Sequence, residues 1–509
     1  MKNQNTYSKF FPVLLFFLVG GFLTSCDFLD PTEVTNPQTT GEDLARANEP
    51  VRALMPGLEA QFARALGSNV VVTETISDNY SVNGTGISST FDFPGELNVD
   101  VDATNATGAA TGAYWNASEL RALASFVIDD IIPADDTAND AEIARVFYYR
   151  GMANLFQGEN FVSAMLEREG EPVSAQILLQ RAAEDFNQSL SIINSGQMSM
   201  AARAALARTH RSLGNAAEAA QFAQSVIDTD PEFLFTQPFD DNLANPAQAF
   251  LVARALKELQ PLPRLDFLDP KYPSRSSAIP VAKAEEMYLI LAEVSLSGTP
   301  DLVTARGHLV SAINLATDED AGRVLIEFND DDQRLDNQLN SRPRHSVFDV
   351  KAGPDAPARS GLVLTRPGAI QTPAISSTSF TEQNVNDANN ADELIYLLYN
   401  LRQEILFLEG RRLHDLGIRV NFMLREIDSN VSLTRNSLGS TAYIPSYIPS
   451  GNNLDLFEPS SPYPGGEPDD STDPTVTTTV ITISHDINAI LSAQRGTVLD
   501  NPFVGVPGL

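Results

Sequence analysis

The stretch AARAALARTHRSLGNAAEAAQFAQSVIDTDPEF, Ala201–Phe233, constrains this chain more than any other. Apolar residues recur three and four positions apart on both sides of Gly214-Asn215, which predicts two short amphipathic helices and a tight turn. Gly and Asn accept the left-handed backbone such a turn needs. Ala207 and Ala219 place small side chains where the helices would cross, so the backbones can approach closely, and Pro231 stops the second helix. A pair of this kind cannot bury its apolar stripe alone and must stack on neighbours. Weaker copies supply them: Ala141–Phe156 with Val173–Ile193, and Lys283–Leu296 with Leu302–Thr317. Glu393–Leu416 adds a further long helix.

The pattern resembles the tetratricopeptide repeat, a unit of about 34 residues. The expected fold is mostly α, with tetratricopeptide-like helix pairs at 141–233, 283–317 and 393–417 forming a right-handed scaffold with long irregular loops and minor β. Glu42–Leu66 and Trp115–Ile132 also carry helical apolar spacing. Between them Asn69–Thr111 reads as irregular, rich in Gly, Ser, Thr and Asn. Pro231–Ala278, Asn329–Asn390 and Ser437–Pro474 read as long inserts, and loops of that length usually bind something or link. Thr475–Ser484, with its β-branched run, reads as one strand.

The N-terminus says where such a scaffold would work. Lys2 and Lys9 precede an uncharged apolar run from Phe10 to Phe22, too short to span a bilayer of about 30 Å as a helix. It reads as a secretory signal, and its end, Leu23-Thr24-Ser25-Cys26, resembles the bacterial lipobox. The chain divides into a signal peptide at 1–25, a lipidated tether at 26–40 and one body at 41–509. Cys26 is the only cysteine, so no disulfide framework or cysteine metal site is available, and its acyl chains would anchor the body to a membrane. The net charge is −32, and loss of Lys2 and Lys9 takes it to −34. Nucleic acid and polyanionic ligands are therefore poor partners. The acids are spread along the chain, which fits a hydrated surface in salty surroundings better than selection for a cationic ligand.

Signs of catalysis are missing from the sequence. The five histidines are scattered, with no metal-binding spacing, and no nucleophile elbow, phosphate loop or dinucleotide fingerprint is present. Asn329–Asn337 lacks the mid-loop Gly and final Glu of a calcium hand and reads as a solvated acidic loop; Asp129 and Asp130 read as a helix end. No catalytic residue, metal or cofactor is assigned.

LRQEILFLEGRRLHDLGIR, Leu401–Arg419, resembles the C-terminal signature of SusD/RagB outer-membrane lipoproteins through Arg402, Glu404, Leu406–Leu408, Glu409, Gly410, Arg411, Arg412, Asp415 and Leu416. KAEEMYLILAEVSL, Lys283–Leu296, resembles a second helix of that family, and CDFLDP resembles its mature start. Two departures stand out: YIPSYIPSG lies earlier than the family's proline segment, and Gly417 replaces a basic residue. Read as one helix, the signature would pair Glu409 with Arg412 and Arg411 with Asp415 and pin itself into the repeat core. The resemblance implies a surface-exposed, outer-membrane, non-enzymatic lipoprotein. Such a protein binds a nutrient oligomer, oligosaccharide first, and delivers it to a SusC-like TonB-dependent transporter. It also implies a ligand site among loops at 69–115, with 329–390 as a second loop region. Asp78, Asn79, Tyr80 and Trp115 are the ligand-contact candidates there, because aromatic faces and short polar groups hold sugars. Two alternatives remain open at this level: a lipid-anchored surface hydrolase, and a scaffold assembled through its repeats.

Overall fold

The computed structural model describes residues 48–82, 89–100, 112–167, 170–252, 259–269, 271–323, 325–329, 348–364, 369–449, 454–458 and 480–500. Cys26, the signal and tether, the acidic loop beyond Asn329 and the segment 459–479 lie outside them. The helices are α1 (Pro50–Ile76), α2 (Ala113–Phe126), α3 (Asp140–Asn160), α4 (Ala175–Ile192), α5 (Gly196–Leu213), α6 (Ala216–Thr229), α7 (Ala284–Leu296), α8 (Leu302–Ala316), α9 (Glu382–Asp387), α10 (Ala391–Ile405), α11 (Arg412–Leu416), α12 (Leu424–Ser429) and α13 (Ile487–Ile490). The fold is mostly α with minor β.

The founding hairpin forms as its residues dictate. Gly214, at φ +78°, ends α5, and the N–H of Asn215 returns to the His210 carbonyl at 2.9 Å. Ala207 and Ala219 are fully buried at the crossing. The flanking pairs, α3 with α4 and α7 with α8, pack in the same way. At the α3–α4 crossing Gly151 leaves the space that Phe186 fills; a Cβ there would stand 2.7 Å from the ring. A box caps α3: Asn139 accepts from the Glu142 N–H, and Glu142 accepts from the Asn139 N–H. One connected apolar core runs through these helices from Val51 to Leu491.

The strands are short and stitch loops onto the helices. Ser163–Met165 pairs antiparallel with Pro172–Ser174 in the insert between α3 and α4, and Leu234–Gln237 pairs with Ile279–Lys283 ahead of α7. Val480–Ile483, inside the predicted β-branched run, lies parallel to Asp349–Lys351 and antiparallel to Phe457–Glu458.

Two expectations are corrected. Asn69–Ile76 is not irregular: α1 continues to Ile76 through NVVVTETI. The low helix propensity of that run is overridden by burial of every residue in it, and Thr73 and Thr75 return their hydroxyls to the Asn69 and Val71 carbonyls at 2.8 and 2.7 Å. Nor is Leu401–Arg419 one helix. α10 stops at Ile405, Leu408 (φ +58°) and Gly410 (φ +74°) take left-handed backbone, and the chain restarts at Arg412.

Candidate functional site

That broken segment is the keystone of the molecule, and apart from the Arg402–Asp415 pair its charges are met by distant segments. Glu409 accepts from both Lys271 and Lys283 at 2.6 Å, while the same lysines donate to the Phe407 and Ile405 carbonyls at 2.8 and 2.7 Å. Tyr272 donates to the Leu408 carbonyl at 2.8 Å, and Glu74 accepts from the Gly410 N–H at 3.1 Å. Together these contacts hold Leu408 in a backbone conformation that costs an ordinary residue roughly 1–3 kcal/mol. Arg411 pairs with Glu286 through Nε and Nη2 at 3.0 and 3.1 Å. Arg402 donates to Asp415 at 2.9 Å, and Arg211 bridges Asp415 and Glu293.

The electrostatics of this buried network follow from what each acid faces. Burial would raise Glu286, but the guanidiniums of Arg411, Arg208 and Arg402 outweigh it and hold the carboxyl at about 2. Burial opposes Arg402 and Arg211 at Asp415 in the same way, and the arginines win. Glu74 faces no comparable cation, so burial pushes it up to about 7 against the hydrogen bonds from Asn79 and Gly410. Lys271 is lowered by burial to about 8 despite Glu409. The second family-like motif supplies Lys283, Glu286 and Glu293 to this network; the two motifs are one structure.

Asp78, Asn79 and Tyr80 belong to the same frame, which corrects the expectation that they meet a ligand. All three are buried. Arg412 clamps Asp78 through Nε and Nη2 at 2.6 and 2.7 Å. Gln403 donates to Asp78 and Asn79 at 3.0 and 2.9 Å, and Asn79 donates to Glu74 at 2.6 Å. Tyr80 donates to Asp269 at 3.0 Å and stacks on Phe407. Their side chains are turned away from solvent by partners more than 180 residues distant, which a local reading of a polar loop cannot reveal.

Trp115 is different. It is half-buried, packs against the core and lines a surface cleft of about 430 Å³. One wall is α2, which contributes Trp115, Ser118 and Glu119; another is Met165–Glu167; the third is Met423 with α12, carrying Arg425 and Glu426. Buried Arg121 ties two walls together by donating to the Met165 carbonyl and to Gln157, which donates in turn to Ser118 at 2.8 Å. The third wall follows the keystone segment in the chain, and Val420, between that segment and α12, donates to the Asn160 carbonyl at 2.8 Å. Glu426 is raised by burial, against a hydrogen bond from Tyr114. The Arg425 guanidinium lies over the indole, 4.7 Å from the ring centroid. An aromatic face beside carboxylates and hydroxyls in a cleft of this size has the chemistry to hold a small polar ligand or one unit of an oligomer.

The cleft brings the sequence candidate Trp115 together with Glu119, Glu167, Arg425 and Glu426, which carry no motif and were not candidates. A second cleft of about 370 Å³ is apolar, with Phe93, Pro94, Ile444, Pro445 and Pro449 in its lining. Among the described residues no group of three or more His, Cys, Asp or Glu could hold a metal, and no helix is long and apolar enough to cross a membrane.

No family model and no curated protein matches the chain. Among solved structures it is similar to NanU of Bacteroides fragilis, at 11% identity over 75% of this chain and 91% of that one, with a TM-score of 0.49. It is also similar to a SusD superfamily protein of B. fragilis (12% identity, 75% and 98% covered, TM-score 0.46). A SusD-like carbohydrate binding protein of Bacteroides vulgatus gives 12% identity, 72% and 82% covered, and a TM-score of 0.45.

Proposed function

We propose that this chain is a lipid-anchored outer-membrane protein of the SusD/RagB kind. It captures a nutrient oligomer, oligosaccharide first, in the Trp115 cleft and delivers it to a SusC-like TonB-dependent transporter without turning it over. The observation that carries the reading is the interlock of the two family-like motifs: Lys283, Glu286 and Glu293 of one pair with Glu409, Arg411 and, through Arg211, Asp415 of the other. Residues at such a spacing that ended in unrelated places would have spoken for coincidence. The leader and Cys26 support anchoring, and the charge of −32 speaks against nucleic acid. The helix pairs offer broad faces for a partner protein.

The test is a glycan array with the mature chain and its Trp115→Ala variant, each glycan also checked for cleavage. Binding that depends on Trp115 without released product is the expected result. Product release would favour the hydrolase reading, and binding indifferent to Trp115 would remove the cleft from it. Gentle detergent extraction should bring down a large β-barrel with the anchored protein; recovery of the protein alone would count against the transporter partnership.

A further inference from the structure

We infer that Arg425 is a gate on the Trp115 platform: its guanidinium covers the indole face a sugar ring would use, and a ligand stacks there only by driving it off. This rests on the glycan-binding reading above. Trp115 packs against the core, so the face beneath Arg425 is the one turned to the cleft. Arg425 is exposed and, among the described residues, has no ion pair; its guanidinium lies over the indole and acts on neighbouring Glu426 only through space. That attachment is weak by nature, because an exposed cation over a ring is held by the ring's quadrupole against full hydration.

The displaced cation has somewhere to go. Glu119 on α2 and Glu167 beyond Met165 line the same cleft, are exposed, and among the described residues have no ion pair. Arg425 moved off the ring meets these carboxylates and neutralises one of them. The cleft therefore holds two positions for one guanidinium, ring when empty and carboxylate when filled. Arg425 is a positioning residue in this scheme, and its effect on affinity is opposite to that of a ligand contact.

Trp115 is the only tryptophan in the chain, so intrinsic emission reports this cleft alone. The first arm uses no ligand: acrylamide quenching of the mature chain and its Arg425→Gln variant. Removing the guanidinium should make the ring clearly easier to quench, and an unchanged quenching constant overturns the gate. The second arm titrates neutral hexasaccharides of glucose, xylose, mannose and N-acetylglucosamine by calorimetry into wild type, Arg425→Gln, Trp115→Ala and Glu119→Gln/Glu167→Gln. For a sugar that binds, Arg425→Gln should bind about two- to fivefold tighter, Trp115→Ala should lose binding, and the double Gln variant should bind more weakly than wild type. Weaker binding by Arg425→Gln would make the arginine a ligand contact and overturn the inference. If none of the variants binds any of these sugars while acrylamide finds the ring uncovered in Arg425→Gln, the covering stands and its role in admitting sugars is overturned, separately from the first arm.

Discussion

Replacing Asp78 with Asn separates a frame residue from a ligand residue, the two roles that sequence and structure assign to it. The side chain is isosteric, so packing is kept and only the charge is lost. Asp78 is 2% exposed and so is Arg412, whose Nε and Nη2 lie 2.6 and 2.7 Å from the two carboxylate oxygens. In the Asp78→Asn variant one of those oxygens becomes an NH2 group facing a guanidinium, and the arginine is left buried without its counter-charge. Breaking a buried pair in this way costs about 3–5 kcal/mol. Unfolding entropy of about 2.1 cal/mol/K per residue means that a chain of this size loses roughly one kelvin of Tm per kcal/mol, so a drop of about 3–5 K is expected if it unfolds as one unit. The assay is thermal unfolding by circular dichroism, run for Asp78→Asn, Arg412→Gln and the double variant. The double variant should be less destabilised than the two single changes added together, because each single change already breaks the pair. A Tm within about one kelvin of wild type, together with lost oligosaccharide binding, would refute the frame role and return Asp78 to the ligand.

Other consequences can be measured beside it. Glu74 is pushed up to about 7 from an ordinary 4.5, so between those values the folded state holds a proton that the unfolded state has released, and stability falls as pH rises through that window. Glu74→Gln should therefore gain on wild type between pH 5 and pH 8 by up to about 3 kcal/mol, at about 1.4 kcal/mol per pKa unit; an equal difference in urea midpoint at both pH values would show that Glu74 does not titrate there. Gly410→Ala should destabilise by more than about 1 kcal/mol: φ is +74° and the new Cβ would stand 2.7 Å from Asn69 Nδ2. Adding Asn69→Ala should recover only the clash. Ala219→Leu overfills the α5–α6 crossing and should cost about 1–3 kcal/mol in chemical denaturation. Finally, Glu119 and Glu167 should make the cleft prefer a neutral oligosaccharide to its uronate counterpart, a preference that Glu119→Gln/Glu167→Gln narrows.

The helix pairs were legible because their information is local: apolar period, Gly214 and Pro231 as punctuation, Ala207 and Ala219 at the crossing. The signature was legible as a motif and illegible as a structure. Spacing rules paired Glu409 with Arg412 and Arg411 with Asp415 on an assumed helix, whereas Leu408 and Gly410 break it, and the true partners stand on β-strand ends, on α7 and after α1. SDNY looked like an exposed polar loop for the same reason, since burial of a carboxylate depends on a cation that no local window contains. Trp115 was singled out as an aromatic face beside polar loop residues. The arginine that covers it lies 310 residues further along.

The keystone also sets a clock for folding. Glu74 and Asp78 meet Gly410 and Arg412 across 336 and 334 residues of chain. At about 5–20 residues per second, the ribosome delivers Arg412 roughly 15–70 s after Asp78. Throughout that interval Asp78, just past α1, lacks the guanidinium that compensates its burial, so this end of the helix cannot dock and close the core. A chain built this way stays open until its last fifth has been made, which is the condition in which an exported polypeptide has to cross a membrane.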